Sequence, residues 1–406
     1  MGRRAISIVA LLLTAVSCTG GTSDGSTTTP TPGSIDTSAP AAPIDPGRLA
    51  VVDEQGDIVV MAPDGSERRA LTERGENPAV YMQPIWSPSA SWLAWGQATG
   101  TGFGIGIARA DTGEVKTLTT PNLPFYTYWS PDNRHLGALH NGQTGVQFQI
   151  VDVEAETTEL LDEDAPFYFS WNPAGDRVVT HAGVSRAETI TPDDDRVELE
   201  PTAGNYLAPQ WTDAGVFHVV DDHLVLEDAI GVREQVAEVS GLTMFVANPQ
   251  GTMVAAQSTG GGLDGLTAST EDLPAVRTNA VVVVDVATRD TDLVDQDLAL
   301  GFFWSADGGS LLVLTTSEDA VVPLVWSSEG QHEFPAYRPS RSMLRDTFPF
   351  FPQYAQSVSF WAPDSSAFAY AGTVEGESGV FVQDLDTADP VRVSGGSWVA
   401  WSPARP

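Results

Sequence analysis

The 406-residue sequence contains a single cysteine, Cys18, and a single lysine, Lys116. One cysteine cannot form a disulfide bond within the chain. Positive charge is also scarce, because 20 arginine and lysine residues stand against 54 acidic residues and leave a net charge of -34. A surface of this sign repels nucleic acid and anionic lipid headgroups, so we expect neither as a direct partner.

Metal-binding patterns are absent as well. The six histidines are scattered through the sequence, with no HxH or HExxH spacing. The acidic residues are dispersed and form no Asp-x-Asp-x-Asp-Gly loop of the kind that holds calcium. We predict no cofactor and interpret the acidic excess as a solvated surface, with Ca²⁺ binding as the alternative.

What the sequence has in abundance is turn residues and a repeat. With 38 glycines, 28 prolines and 42% hydrophobic residues, the composition favours a large all-β fold over long helices. A motif typified by Trp-Ser-Pro-Asp follows an apolar run eight times, and its copies begin at Trp86, Trp129, Trp171, Trp211, Ala247, Trp304, Trp361 and Trp401. A period near 40 residues predicts a β-propeller with one four-stranded blade per repeat, in which the motif tryptophan packs between blades.

These copies resemble the WD40-like repeats of TolB-type propellers, which also occur in prolyl oligopeptidases. The resemblance covers nearly all of residues 48–406 and implies one propeller domain. Eight copies predict eight blades, and seven is the alternative because the copies at Trp211 and Ala247 are weak. We expect the last apolar run, residues 397–400, to pair with the runs at 49–53, 58–61 and 70–72 and close the ring. TolB and the peptidases carry a further α/β domain that we do not find here, so we expect neither the peptidase nor the transport role.

The first 17 residues have the pattern of a signal peptide, with Arg3 and Arg4 before an apolar stretch and small residues before Cys18. The run Ala15-Val16-Ser17-Cys18 resembles the lipobox of bacterial lipoproteins, in which the cysteine becomes the first mature residue and carries the lipids. The alternatives are a signal peptide with a chance cysteine and an uncleaved anchor. Residues 18–47 are rich in Thr, Ser and Pro and predict a disordered tether. We therefore expect a lipid-anchored protein on the extracytoplasmic face of the cell membrane.

Two repeats are lengthened to 57 residues by insertions at 258–279 and 336–353. Strand counting places both insertions on the face opposite the Trp-Ser-Pro hairpins, on adjacent blades. The second insertion combines arginines with aromatic residues, and our candidate binding residues are Arg338, Arg341, Arg345, Tyr337, Phe350 and Phe351. Such a composition suits carboxylates, other anions or a protein surface. In the alternative interpretation the aromatic rings pack against the rim while the arginines neutralise nearby acids.

The functional expectation is a monomeric, non-catalytic binding or scaffold protein. Its loop-rich face would bind a protein, a peptide or an envelope polymer, and its lipid would hold it at the membrane. The alternative is a propeller-type hydrolase or lyase that uses the central channel, with a metal held by Asp or His. Fold alone does not decide between them, because propellers host many unrelated activities.

Overall fold

The computed structural model describes residues 47–74, 79–183, 186–199, 206–229, 231–259 and 273–403. Its strands form eight antiparallel four-stranded sheets, and each sheet is one blade of a β-propeller. This confirms the predicted all-β class and the count of eight blades. The predicted signal peptide, Cys18 and most of the tether, up to residue 46, lie outside the described residues.

The strands of the first half of the chain are β1 (Leu49–Val52), β2 (Ile58–Met61), β3 (Arg69–Ala70), β4 (Val80–Trp86), β5 (Trp92–Thr99), β6 (Gly102–Arg109), β7 (Val115–Thr120), β8 (Pro124–Trp129), β9 (His135–Asn141), β10 (Val146–Asp152), β11 (Thr157–Asp164), β12 (Phe167–Trp171), β13 (Val178–Ala182), β14 (Arg186–Ile190) and β15 (Arg196–Glu198).

The strands of the second half are β16 (Gln210–Thr212), β17 (Gly215–Val220), β18 (His223–Glu227), β19 (Arg233–Glu238), β20 (Leu242–Ala247), β21 (Met253–Thr259), β22 (Val281–Asp285), β23 (Thr291–Asp295), β24 (Ala299–Trp304), β25 (Ser310–Ser317), β26 (Ala320–Ser327), β27 (Gly330–Glu333), β28 (Arg338–Pro339), β29 (Ala367–Val374), β30 (Glu377–Asp384), β31 (Val391–Ser394) and β32 (Trp398–Trp401).

Each of blades one to seven uses four consecutive strands, from β4–β7 in blade one to β28–β31 in blade seven. Blade eight joins the two ends of the described chain, because β32 pairs with β1, which pairs with β2 and then β3. In this register Val51 lies opposite Val399, and the Ser402 amide donates to the Arg48 carbonyl at 2.8 Å. The predicted closure is confirmed, and it removes two open sheet edges.

The motif makes a tight turn between the inner and the second strand of a blade. In blade two the Asn133 amide donates to the Ser130 carbonyl at 2.9 Å. Four residues after the first position of the motif, φ is positive in seven blades, at Ala90, Asn133, Gly175, Gly215, Gly251, Gly308 and Ser365. Four of the seven are glycine, which adopts this backbone conformation without steric cost. The turns place the motif hairpins of blades one to seven on one face of the ring, called here the hairpin face.

The motif tryptophans connect neighbouring blades by hydrogen bonds. In four copies the indole N–H donates to the carbonyl of the residue just before the motif in the preceding blade. The pairs are Trp129 to Ile85 (3.3 Å), Trp171 to Tyr128 (3.1 Å), Trp304 to Val246 (2.8 Å) and Trp361 to Phe303 (3.0 Å). The interpretation of the motif tryptophan as a blade-packing residue is confirmed at these positions.

The first insertion leaves blade five between β21 and β22, as strand counting predicted. Residues 260–272 of it lie outside the described residues. In the described part, the Val276 amide donates to the Glu238 carbonyl and the Glu238 amide donates to the Pro274 carbonyl, both at 2.9 Å. These bonds hold the returning segment against β19 of blade four, so the described part leans away from the second insertion.

Candidate functional site

The second insertion splits the innermost strand of blade seven into two pieces. The first piece is β28, where Arg338 pairs with Thr373 of β29, and the second is Trp361, which bridges to Phe368 at the other end of β29. Residues 340–358 leave the sheet between these pieces, and we call them the plug. The plug contains a π-helical turn at Met343–Thr347, a 3₁₀ turn at Phe348–Phe350 and a one-turn helix, α1, at Phe351–Tyr354. The expected loop therefore ends at Val358, five residues beyond the predicted boundary.

Gln353 anchors the plug to the inner strands on the far side of the ring. Its side-chain amide donates to the Phe169 carbonyl at 2.7 Å and accepts from the Phe169 amide at 2.9 Å. The Tyr126 hydroxyl donates to the Gln353 carbonyl and accepts from the Gln353 side chain, both at 2.9 Å. Because Gln353 is buried, these bonds satisfy polar groups that have no access to water.

Other plug residues reach further blades. Gln83 of blade one donates to the Tyr354 hydroxyl at 2.9 Å, and that hydroxyl donates to the Phe125 carbonyl of blade two at 3.1 Å. The Phe351 ring packs edge to face on Phe302 of blade six, with ring centroids 4.6 Å apart. Plug residues also contact blades four and eight, through Gln210 and Trp398.

The central channel is therefore occupied by the chain's own residues 340–358, which contact inner strands all around the ring. Burial raises the pKa of the Tyr126 and Tyr354 hydroxyls well above the ordinary value. Both hydroxyls stay neutral and keep their hydrogen bonds over the physiological pH range. The alternative function, an enzyme acting in an open central channel, would use space that the plug fills.

The structure separates the six predicted binding residues into two groups. Tyr337 and Phe351 are buried: Tyr337 packs at a tilt against Tyr370, with ring centroids 4.2 Å apart, and Phe351 packs in the channel. Neither ring faces solvent, so these two candidate binding residues are not on the surface of the second insertion. Burial of these two rings agrees with the packing half of the alternative interpretation.

The remaining four residues are exposed, at the mouth of the channel opposite the hairpin face. They are joined there by a residue that the sequence analysis missed, Leu344, which is 48% exposed. We call this set the outer surface of the plug, and its members are Arg341, Leu344, Arg345 and Phe350 of the plug together with Arg338 of the adjoining strand β28. Positions three and four apart share one face of a helical turn, so Arg341, Leu344 and Arg345 project together while Met343 and Thr347 face inward.

The three arginines differ in their partners. Arg338 forms an ion pair with Asp319, and Arg345 donates to its neighbour Asp346 at 2.6 Å. Arg341 has no hydrogen-bond or ion-pair partner among the described residues, and Phe350 of the same set is 45% exposed. A cation without a partner next to exposed apolar side chains is unusual in a chain with a net charge of -34.

Comparisons with known proteins define the class of fold. No protein-family model and no curated protein matches the chain. A structure of the eukaryotic initiation factor is 10% identical, with a TM-score of 0.56, and the match covers 89% of this chain and 100% of that one. Oligogalacturonate lyase in complex with manganese is 12% identical, with a TM-score of 0.51 over 84% of this chain and 98% of that one. TolB from Acinetobacter baumannii is 12% identical over 71% of this chain and 63% of that one, with a TM-score of 0.39.

At such identities the likeness shows the fold alone, and the chain is an eight-bladed β-propeller. Within the described ranges, no group of three or more His, Cys, Asp or Glu side chains is arranged to hold a metal ion. The same residues contain no helix that is long and apolar enough to cross a membrane.

Proposed function

We propose that this protein is a non-catalytic binding protein that binds a protein or peptide through the outer surface of the plug. In this proposal, lipid on Cys18 holds it at the outer side of the cell membrane. The observation that carries the proposal is Arg341, which has no partner among the described residues and lies beside exposed Leu344. An arginine next to apolar side chains is a typical composition for the centre of a protein interface.

The partner's chemistry follows from this surface. A guanidinium group pairs best with a carboxylate, which it can bind through two parallel hydrogen bonds. Leu344 and Phe350 add apolar area that a partner side chain would cover. We therefore expect a partner segment with a carboxylate next to an apolar residue, and an anionic envelope polymer is the alternative.

The tether fits this role. If residues 18–47 behave as a flexible coil, they span roughly 30 Å, which is enough to hold the ring away from the lipid surface. The acidic ring is then repelled by anionic headgroups, so the lipid on Cys18 supplies the membrane affinity. The protein would reach its partner as a tethered monomer.

A site-specific photo-cross-linker tests the binding surface in cells. Placed at Leu344, it should give a discrete adduct with the partner, and the additional substitution Arg341→Ala should weaken that adduct. The matched control is the same cross-linker at Leu160 on β11, which is 53% exposed but lies far from the plug. Equal adducts from both positions, or no effect of Arg341→Ala, would remove this surface from the proposal.

Metabolic labelling with an alkyne fatty acid tests the anchor separately. The wild-type chain should be labelled and recovered with membranes, whereas Cys18→Ala should lose the label and be released. A Cys18→Ala variant that stays in the membrane fraction would favour an uncleaved anchor instead.

A further inference from the structure

A second candidate site lies at the other end of the plug, on the hairpin face. It is a pocket of about 210 Å³, whose walls include Trp86 of blade one, Trp129 of blade two, Pro249 of blade five and Trp304 of blade six. Blades one and five lie opposite each other in an eight-bladed ring, as do blades two and six. The pocket therefore lies on the ring axis, and we call it the axial pocket.

The walls of the axial pocket are aromatic and uncharged. Five aromatic side chains line it, namely Trp86, Tyr128, Trp129, Trp304 and Trp401, and none of the lining residues is acidic or basic. Tyr128 and Trp304 are the half-buried members, so their rings have the most surface free for a ligand. An uncharged aromatic wall is notable in a chain with 54 acidic residues.

The floor of the pocket is formed by the last part of the plug, residues 355–358, and by the next residue, Ser359. Its polar side chains already use their hydrogens inside the protein: Gln356 donates to the Pro209 and Pro352 carbonyls, and the Ser359 hydroxyl donates to the Trp361 carbonyl. The hydroxyl of Ser357 likewise donates to the Tyr354 carbonyl at 3.4 Å. What these groups still offer is oxygen lone pairs, so the floor suits a ligand that donates hydrogen bonds or carries positive charge.

Carboxylates also lie on the hairpin face, outside the lining of the pocket. In three of the hairpins on this face the third residue after the motif tryptophan is an aspartate: Asp132, Asp307 and Asp364. Hydrogen bonds from Ser305 and the Gly309 amide lower the pKa of Asp307, and hydrogen bonds from Ser366 lower that of Asp364. Both are ionised at neutral pH, so their field favours a cation over the pocket mouth.

We propose that the axial pocket binds a small soluble organic cation that carries a quaternary ammonium group. Aromatic rings attract such a group through their negative faces, and oxygen lone pairs and nearby carboxylates add to the attraction. A bare metal ion would need oxygen ligands that the aromatic walls do not supply. The volume is smaller than the roughly 300–1,000 Å³ of pockets for drug-sized ligands, so a ligand the size of choline fits the site better than a longer chain.

Calorimetric titration of the full chain tests this proposal. The protein is kept in a polyoxyethylene detergent, which brings neither a quaternary ammonium group nor a sugar. Choline and tetramethylammonium should bind, and the neutral isostere of choline, 3,3-dimethylbutan-1-ol, should bind about tenfold or more weakly because it lacks the positive charge. Equal affinity for choline and the isostere, no detectable binding of either cation, or binding of a methyl glycoside instead would each overturn the proposal.

Substitutions in the floor tie the binding to this pocket. Ser357→Lys places a competing cation in the pocket and should abolish choline binding, whereas Ser357→Ala should retain it. Thermal unfolding checks whether Ser357→Lys is folded. If it is not, Tyr128→Leu replaces it as the test variant, and it should weaken the binding of choline and leave the binding of the neutral isostere unaffected. Arg341→Ala lies on the other face and should leave choline affinity unchanged, so this proposal can fail or succeed independently of the proposed partner surface.

Discussion

At the residue scale, the motif tryptophans fall into two groups that share a place in the fold but differ in one hydrogen bond. Trp361 donates to the Phe303 carbonyl at 3.0 Å, whereas the indole nitrogen of Trp401 in the next blade is buried and has no hydrogen-bond partner among the residues that the structure describes. Both side chains are at most 5% exposed. The pair therefore separates the contribution of the inter-blade hydrogen bond from that of the indole's volume.

We expect Trp361→Phe to destabilise the protein by about 1 kcal/mol more than Trp401→Phe does, because it removes the inter-blade hydrogen bond that the Phe303 carbonyl accepts in addition to its strand pairing with Leu312. Both variants lose similar volume, and Trp401→Phe also removes an unsatisfied N–H group. Urea unfolding of the two variants beside the wild type measures the difference. If the two lose the same free energy of unfolding, the inter-blade hydrogen bonds add nothing to blade packing.

Also at the residue scale, Glu227 on β18 is a buried carboxylate whose pKa is strongly lowered. Its side chain lies 3.0 Å from the His218 ring nitrogen and accepts from Arg233 at 2.6 Å, and these bonds lower its pKa from 4.5 to about 2. A lowered folded-state pKa stabilises the protein above the unfolded-state value. This stabilisation is lost as the pH falls from about 5 to about 2.

We expect Glu227→Gln to lower the free energy of unfolding by about 2 kcal/mol at pH 7 and to flatten its decline between pH 5 and pH 3. Urea titrations at pH 7, 5 and 3 measure both effects. Glu329→Gln is the control, because its exposed side chain has no partner within the described ranges. If the free energy of unfolding of Glu227→Gln falls between pH 5 and pH 3 as steeply as that of the wild type, other groups cause the acid sensitivity.

At the scale of elements, the plug is the part of the fold that its local sequence did not predict. The motif period gave the correct number of blades and the closing strands because each repeat carries its own hydrophobic pattern and turn residues. Residues 336–353 have no such period, and their arginines and prolines favour a surface loop. The channel that buries Phe351 and Gln353 exists only once eight inner strands have met, so nothing near these residues in the sequence indicates their burial.

The exposed part of the candidate site was easier to predict than the buried part. Arg338, Arg341, Arg345 and Phe350 are exposed, as expected from their composition. Leu344 was missed, although its spacing from Arg341 would have placed it on the same helical face. The axial pocket was missed because its walls are the same tryptophans that connect the blades, and sequence assigns each of them a single role.

The plug should contribute to stability through Gln353, whose side chain bonds to Phe169 and Tyr126. Gln353→Ala leaves the buried Phe169 amide and carbonyl unpaired, and we expect a loss of about 2–4 kcal/mol. Gln356→Ala, three residues on and only half-buried, should cost less than about 1 kcal/mol. Thermal and urea unfolding of the two variants compare them, and equal losses would mean that the plug adds little to the stability of the ring.

At the scale of the whole molecule, stability depends on the pairing of β1 with β32, because these are the strands where the ring can open. Ser402 and Arg48 form a hydrogen-bonded pair across this seam. Hydrogen-bonded and non-hydrogen-bonded pairs alternate along antiparallel strands, so Val51 and Val399 face each other as a non-hydrogen-bonded pair. Their Cα atoms should lie about 4.5 Å apart, within the range that a disulfide bond spans.

A disulfide between Val51→Cys and Val399→Cys, in a Cys18→Ser background, should therefore lock the ring. Because it joins residues about 350 positions apart, loop-closure entropy predicts a stabilisation of about 6 kcal/mol when oxidised. The reduced form of the same variant is the control, since it carries the same two substitutions without the covalent bond. The oxidised and reduced forms could instead have the same urea midpoint. That result would show that the seam stays closed while the blades unfold elsewhere. The first step of unfolding would then lie within the blades and not at their junction.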